Sequence, residues 1–240
     1  MAKKFDLEKH LAEEHHDLGR GVLLRDSILG GQDGLVNVLG IVLGIAAATF
    51  ETKIVIIAGL AATFAESVSM AAVAYTSIKA ERDFYYREYE KEKTEVDAGS
   101  PNEVEEVREL YRRKGFAGRL LEDVVKKITA NKRVWLDFMM HEELRLNKPA
   151  SDNPLKNAAV VGFSAVVGSL IPLASFFFMP VKQAMVFSVI FSALVLFAAG
   201  SVKAKLTVGS WWKNGLEMTA IGMLAAITGY AVGAFLGAVV

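Results

Sequence analysis

The sequence contains no cysteine. Disulfides and thiolate metal sites are therefore excluded, and any bound metal must be held by oxygen, imidazole or thioether ligands. The chain has no excess of either charge, because its 27 Lys and Arg residues balance its 27 Asp and Glu residues. With zero net charge and no basic patch interleaved with aromatic residues, nucleic acid is not an expected partner. The charged N-terminus lacks the apolar core of a signal peptide.

Apolar residues are concentrated in five long runs and make up 52% of the 240 residues. About 20 consecutive apolar residues suffice for a helix to cross the hydrocarbon core of a membrane. The sequence therefore predicts an all-α membrane protein with five transmembrane helices. A glycine repeat in the last run predicts close helix packing, either within the chain or between subunits. The predicted spans are 27–50, 54–78, 157–181, 183–202 and 218–240.

A charged stretch between the second and third runs divides the chain into four predicted segments. Lys and Arg residues near the span ends place the N-terminus and this insert in the cytoplasm, with the C-terminus on the other side. A cell membrane and an organelle membrane would present the same pattern. The segments are an N-terminal amphipathic stretch with three histidines at 1–24, transmembrane helices one and two at 25–78, a cytoplasmic three-helix metal-binding domain at 79–156, and transmembrane helices three to five at 157–240.

The insert reads as a series of helices. The helix of span two continues as a charged helix to a break before Ser100. The next helix begins with Ser100 as N-cap and Pro101 at its first position, Glu103 completes a capping box, and Gly115 ends it. Two further helical segments follow, and a Lys-Pro pair stops the second of them.

Span two carries one acid at mid-depth, Glu66. A carboxylate there costs about 2.5–3.5 kcal/mol, so such a residue usually faces a partner or a wet cavity. Met70 follows one turn later on the same helix face, and span one offers Asp33 with Asn37 one turn further along. Acids and a thioether inside lipid indicate the wall of a metal-ion path.

The insert offers a second group of acids. Glutamates spaced by three residues share one helix face, and the break between two helices allows two such pairs to fold together. Carboxylates with a thioether suit Fe²⁺ or Mn²⁺ better than Ca²⁺ or Mg²⁺. On spacing alone, a solvated Glu-rich helix surface is the favoured interpretation and a metal site is the alternative. The candidate metal-binding residues are Glu92, Glu95, Glu103, Glu106, Met139, Glu142 and Glu143.

The chain resembles the vacuolar iron transporter family in three segments and in its layout of spans. The segments are LLRDSILGGQDGLVNVLGI in span one, AESVSMA in span two and WLDFMM-x-x-EL in the insert. The resemblance implies a homodimer in contact with membrane lipid, with an ion path between the first two spans of each subunit. It implies a transporter rather than an enzyme, one that moves Fe²⁺ out of the cytosol in exchange for protons. Mn²⁺, Co²⁺ and Zn²⁺ are alternative substrates, and no organic cofactor is implied.

The resemblance also assigns roles to individual residues. Asp33 and Met70 match pathway residues of the family, and Asp26 belongs to its Arg-Asp signature. The predicted transport pathway thus comprises Asp26, Asp33, Asn37, Glu66 and Met70. The residues matching the family's cytoplasmic metal ligands are Glu92, Glu95, Glu103, Glu106, Met139 and Glu143.

The sequence departs from the family pattern at three places. Ala62 stands where a span-two glutamate is usual, and Glu66 lies one turn later. Val22 replaces a glutamate that precedes the Arg-Asp pair. Met140 stands where a further carboxylate is common, although Glu142 is close by. The residue that couples protons is therefore the one least determined by the resemblance.

Two other interpretations use the same residues. A membrane-tethered ferritin-like di-iron oxidase would need two Glu-x-x-His motifs, and the chain has one such spacing, from Glu13 to His16. A metal-sensing membrane protein would use the insert for binding and the spans as an anchor. Buried acids and a thioether on adjacent spans favour the transporter over a passive anchor.

Overall fold

The computed structural model of the chain describes residues 7–149, 153–206 and 209–239. Within these ranges the chain is entirely helical, with eight α-helices and no strand, which confirms the all-α prediction. Five of these helices are long and apolar enough to cross a membrane. The elements are α1 (Leu7–Thr49), α2 (Thr52–Ala98), α3 (Pro101–Arg113), α4 (Gly118–Thr129), α5 (Lys132–Phe138), a π-helical turn (Met139–Glu143), α6 (Pro154–Ala174), a 3₁₀ turn (Ser175–Phe177), α7 (Val181–Leu206) and α8 (Trp211–Val239).

The helices pack as two compact units. The first consists of Met1–Thr76 and Asn153–Val240, and it contains α1, α6, α7, α8 and the first part of α2. The second, Ser77–Asp152, contains the rest of α2 with α3, α4, α5 and the π-helical turn.

The first two helices are longer than the spans they contain. Helix α1 runs for 43 residues, with no boundary at residue 24 between an N-terminal segment and span one. The amphipathic face predicted for 1–24, with its histidines, lies outside the described side chains. Helix α2 continues past span two, as predicted, and ends at Ala98. Gly99 follows with φ of 64°, a left-handed conformation that glycine adopts without a steric penalty.

Small residues bring α6 against α1 in the first unit. A Cβ atom added at Gly30 would meet the backbone of Val161, and one added at Gly34 would meet the backbone of Ala165. Small residues allow this close approach in lipid, where van der Waals packing has to hold helices together. Gly30 and Gly34 of α1 therefore lie directly against the backbone of α6.

The glycine repeat of the last span packs against α1 of the same chain. A Cβ atom at Gly229 would strike the backbone of Gly40, and one at Gly233 would strike the backbone of Gly44. The sequence predicted close packing of this repeat either within the chain or between subunits. The structure shows packing within the chain. Helix α1 is held by α6 on one side and by α8 on another.

An apolar cluster joins α1 to α2, α6 and α7. Val38, Val55, Leu173 and Phe176 are buried together in it. Pro172 lies near the end of α6, and its carbonyl oxygen accepts a hydrogen bond of 2.8 Å from the buried Ser188 hydroxyl of α7. This polar contact between two helices is made without exposing a polar group.

Three local predictions are wrong. Ser100 is the N-cap of α3 but makes no side-chain cap hydrogen bond, so there is no capping box, and Glu103 is buried instead. The last segment of the insert does not stay α-helical up to its Lys-Pro pair, because α5 ends at Phe138 and a π-helical turn follows. The fifth spanning helix begins at Trp211, whereas the hydropathy of the sequence suggested 218.

Packing of α8 on α1 leads to a test of stability. Gly233→Leu should destabilise the protein by about 1–3 kcal/mol or more, because its side chain would overlap the Gly44 backbone. Thermal unfolding in detergent would measure the effect. Ala234→Leu is the matched control, because residue 234 is exposed and a larger side chain there has room. Equal unfolding temperatures for the two variants would contradict this packing.

Candidate metal sites

Five glutamates converge in the second unit. Glu92 and Glu95 lie near the end of α2, Glu103 and Glu106 near the start of α3, and Glu143 ends the π-helical turn. Their carboxylate oxygens form two groups of three, and the oxygens of each group lie within 4.8 Å of one another. The groups are Glu92, Glu95 and Glu103, and Glu103, Glu106 and Glu143. Glu103 belongs to both, so the two potential ligand sets share one carboxylate.

Several of these oxygens are buried without a hydrogen-bond donor. Glu92 is 3% exposed and Glu103 is 6% exposed. Among the described residues, the Oε2 atoms of Glu92, Glu103 and Glu143 have no hydrogen-bond partner. A buried carboxylate without donors is costly unless a proton or a cation neutralises it. The arrangement thus has the chemistry of a cation site.

Burial and mutual repulsion raise the pKa values of three of these acids, Glu92, Glu103 and Glu143. Burial, followed by the charge of Glu106, raises the pKa of Glu103 to about 7. The same two causes raise the pKa of Glu143 to about 7. A metal cation and protons would therefore compete for the cluster close to neutral pH.

An apolar core supports the cluster from within the second unit. Val96 follows Glu95 in the chain, Val107 follows Glu106, and both valines are buried in this core together with Met139. Met139 is 0% exposed. Alternation of acidic and apolar residues on α2 and α3 explains how these helices present glutamates while burying valines. Met139 lies about one turn before Glu143, within this apolar core, and its role as a thioether ligand stays a prediction.

The π-helical turn separates the two neighbouring glutamates Glu142 and Glu143. Its wider ring is closed by a hydrogen bond of 3.1 Å from the Leu144 amide to the Met139 carbonyl. Glu143 is half-buried in the cluster, whereas Glu142 is exposed and accepts a hydrogen bond of 2.6 Å from Lys114 Nζ. The structure therefore brings Glu143, but not Glu142, to the other predicted metal ligands.

The first unit brings three polar residues together between α1 and α2. Asn37 donates a side-chain hydrogen bond to the Glu66 carboxylate, and Asp33 lies close enough to Glu66 for the two carboxyl groups to interact electrostatically. Met70 is half-buried one turn beyond Glu66. Ala62, at the position where an acid was missing from the expected pattern, packs against the apolar cluster around Val38. Glu66 is thus the acid of α2 that faces Asp33.

Asp26 is part of a separate arrangement. It is 3% exposed and accepts a hydrogen bond of 2.7 Å from the side-chain amide of Asn157 on α6. Arg25 pairs with its other carboxylate oxygen at 3.1 Å. Sequence reasoning missed Asn157, although an amide in the first turn of an apolar span is a signal for a buried polar partner. The contacts link α1 to α6 and do not include Asp33 or Glu66.

Comparison with known proteins finds relatives over nearly the whole chain. The sequence model of the VIT family matches residues 24–234. The chain is 33% identical to vacuolar iron transporter 1 of Tulipa gesneriana over 227 residues, which cover 94% of this chain and 91% of that protein. It is 32% identical to vacuolar iron transporter 1 of Arabidopsis thaliana, with 96% and 92% of the two chains covered. It is 28% identical to protein CCC1 of Saccharomyces cerevisiae, with 85% and 66% covered.

The raised pKa values lead to a prediction about stability. In metal-free buffer with a chelator, the unfolding temperature of the protein should fall between about pH 5 and about pH 8. The folded pKa values of Glu103 and Glu143 are about 7, above the unfolded value of about 4.3. Their stabilising contribution is therefore complete below about pH 4.3 and is lost as the pH rises through about 7.

Glu103→Gln should reduce this fall, because a neutral amide does not ionise. Glu105→Gln is the control, since Glu105 is exposed and paired with Arg108, and its variant should keep the full pH dependence. A pH-independent wild-type unfolding temperature would contradict the prediction, and so would equal slopes for the two variants.

Separation of Glu142 from Glu143 leads to a second prediction. Anaerobic calorimetry of the full chain with Fe²⁺ should show binding weakened by about tenfold or more in Glu143→Gln, because a ligand is lost. Glu142→Gln changes the charge equally but lies outside the cluster, so its binding should match the wild type. Equal weakening in both variants would indicate that only general electrostatics is measured.

Proposed function

The chain belongs to the VIT family, and from this premise we propose that it transports Fe²⁺ out of the cytosol across a membrane in exchange for protons. Its named relatives are transporters, and it is not an enzyme. Fe²⁺ is the substrate in this proposal, with Mn²⁺, Co²⁺ and Zn²⁺ as further candidates because their ligand preferences overlap.

The observation that carries the proposal is that acids lie close together where water is scarce. In the second unit, oxygens of Glu92, Glu103 and Glu143 are buried without a donor. Between α1 and α2 of the first unit, Asp33 and Glu66 face each other. Two neighbouring carboxylates inside a membrane are costly unless a cation or a proton neutralises them. A transported cation exchanged for protons supplies both neutralising partners in turn.

Capture of the metal is assigned to the second unit. In the proposed step, the glutamates release bound protons and coordinate Fe²⁺ through the two groups that share Glu103. The raised pKa values of Glu103 and Glu143 support proton loss on metal binding, since a cation lowers the pKa of its ligands. Met139 would add a soft ligand that favours Fe²⁺ over Mg²⁺ or Ca²⁺.

Passage through the membrane is assigned to Asp33, Glu66 and Met70. In the proposed step, the two carboxyls hold either the metal or protons, and their exchange couples the two flows. Asn37 would position Glu66, because its amide donates to that carboxylate. Asp26, held by Arg25 and Asn157, would act as a positioning residue of the pathway rather than as a ligand.

An organelle membrane is the favoured location. Five apolar helices in the described chain support an integral membrane protein, and the names of the relatives refer to the vacuole. The orientation proposed from the Lys and Arg residues places the glutamate cluster and the N-terminus in the cytoplasm. Captured Fe²⁺ would then leave the cytosol and enter the organelle.

Exposure of the helices assigned to the pathway supports a homodimer as part of the proposal. Asn37 is exposed in the single chain beside the half-buried Glu66, although both would lie at membrane depth. On α2, Phe64 is 62% exposed and Val68 is 70% exposed. A second copy packed on this face would shield the polar groups from acyl chains, and we include it in the proposal.

The rival functions receive less support from the structure. A ferritin-like di-iron oxidase would need histidine ligands, and His141 is exposed with its Nδ1 2.7 Å from the Asp137 carbonyl oxygen. The two glutamate groups found among the described residues contain no histidine. A metal sensor would bind the ion in the second unit but would have no use for facing acids between α1 and α2.

Transport in sealed proteoliposomes tests the proposal. Internal dyes for metal and for pH would record Fe²⁺ entry together with proton exit. Asp33→Asn and Met70→Leu preserve side-chain size while removing the charge or the sulfur, and each should reduce metal flux by at least about tenfold. Met218→Leu is the control, because Met218 is buried in an apolar cluster with Leu35 and Leu196, and its flux should remain near that of the wild type.

Normal flux in both pathway variants would contradict the assigned route. Metal entry without a pH change would contradict proton exchange while leaving metal transport intact. Metal binding by the full chain without any flux would favour the sensor, and oxygen consumption with Fe²⁺ oxidation would favour the oxidase.

A further inference from the structure

The first unit contains a groove that neither metal binding nor ion passage uses. Two adjoining cavities of about 350 Å³ and about 300 Å³ form it. Ile28 and Gln32 of α1 line both cavities, so the groove is continuous along α1. Helices α6 and α7 supply its other walls.

The two ends of this groove differ in chemistry. The outer cavity is lined by Arg25 of α1 and Lys203 of α7, together with Leu24 and Leu29. The inner cavity is walled chiefly by apolar side chains. These include Phe163, Val167, Ile171, Val195 and Leu196. A ligand that fits must therefore join an anionic group to a long apolar tail.

The cationic lining of the outer end favours an anion over the transported ion as occupant. The Arg25 side chain is 70% exposed and uses Nε and one terminal nitrogen to bind Asp26, so its guanidinium retains further donors. Lys203 lies in the last turn of α7. Two cationic groups repel Fe²⁺ and attract phosphate.

The part of the groove from Arg25 inward matches one leaflet of a bilayer. Gly21 and Leu35 are the outermost and innermost residues of α1 that line the groove, and the ten residues from Arg25 to Leu35 rise about 15 Å. This is about half of a hydrocarbon core of roughly 30 Å. Gln32, which lines both cavities, is a polar side chain at the point where they adjoin.

We propose that this groove binds one anionic phospholipid. The phosphate lies against Arg25 and Lys203, and one acyl chain follows α1 inward between Phe163 and Leu196. Basic pockets between membrane helices bind anionic headgroups by this combination of charge and depth. The bound lipid would connect the end of α7 to the segment of α1 that carries Asp26, and so would brace α1 beside the proposed pathway.

Thermal unfolding of the full chain in detergent, with added lipid, tests the proposal. Phosphatidylglycerol should raise the unfolding temperature more than phosphatidylcholine with the same acyl chains. Lys203→Gln should weaken the apparent affinity for phosphatidylglycerol by about fivefold, the effect of one basic residue near a phosphate. Lys205→Gln is the matched control, because it removes an equal charge from the same turn of α7 but does not line the groove.

A second pair of variants tests the position of the acyl chain. Ala199→Phe should fill the inner cavity, which residue 199 lines, and abolish the preference for phosphatidylglycerol. Ala198→Phe should retain the preference, because residue 198 is exposed outside the groove. Native mass spectrometry should find one phosphatidylglycerol retained per wild-type chain and none in Ala199→Phe. The unfolding temperature without lipid identifies a variant that has lost its fold. If one pair of variants fails to fold, the other pair still tests the proposal.

Several outcomes would overturn the proposal. Equal stabilisation by the two lipids would show no anion recognition, and equal effects of Lys203→Gln and Lys205→Gln would reduce the attraction to general surface charge. Stabilisation by glycerol 1-phosphate to the same extent would indicate a soluble anion without a tail. The measurement contains neither metal nor flux, so its failure would leave the transport proposal unaffected.

Discussion

A carboxylate shielded from water and not paired with a basic side chain is unstable until a proton or a cation neutralises it, and this constraint applies in both units of the protein. In the second unit the constraint falls on Glu92, Glu103 and Glu143. In the first it falls on Asp33 and Glu66, which approach each other across two membrane helices. Among the described residues, the structure gives no ion pair from a Lys or Arg side chain to these groups, whereas Asp26 is paired with Arg25 and hydrogen-bonded to Asn157. In the proposed function, a metal ion or a proton would neutralise Asp33 and Glu66 in turn, whereas Asp26 is held by fixed contacts.

Close backbone packing makes this arrangement possible in a membrane. Glycines of α1 lie against the backbones of α6 and α8, so α1 is fixed on two sides without large side chains. The face that remains can then carry Asp33 and Asn37 toward α2. Helix α2 contacts α1 through both apolar and polar residues. Val55 is buried beside α1, and Glu66 accepts a hydrogen bond from Asn37 of α1. Packing and polarity are thus divided between different faces of the same helices.

Features encoded in local sequence were predictable. Long apolar runs determine the five spanning helices, and the break at Gly99 determines how α2 and α3 reverse direction, because only glycine adopts that backbone angle without strain. The spacing of the four glutamates on either side then places them together. Asn157 could not be paired with Asp26 from the sequence, since their contact joins positions far apart in the chain. The predicted capping box is absent because the Glu103 side chain lies in a buried cluster instead. The members of this cluster come from three elements, which local spacing does not show.

The π-helical turn explains why Glu142 and Glu143 were not distinguished by sequence spacing, and it has a consequence for how this segment can vary. Consecutive residues of an α-helix point about 100° apart, and the turn holds one residue more than an α-helical ring would. If the same residues between Met139 and Glu143 were wound as a regular α-helix, the side chain of Glu143 would point in a different direction even though its identity is unchanged. The position of Glu143 in its cluster therefore depends on the winding of this segment as well as on its residue type, and substitutions here are tolerated only where they preserve that winding.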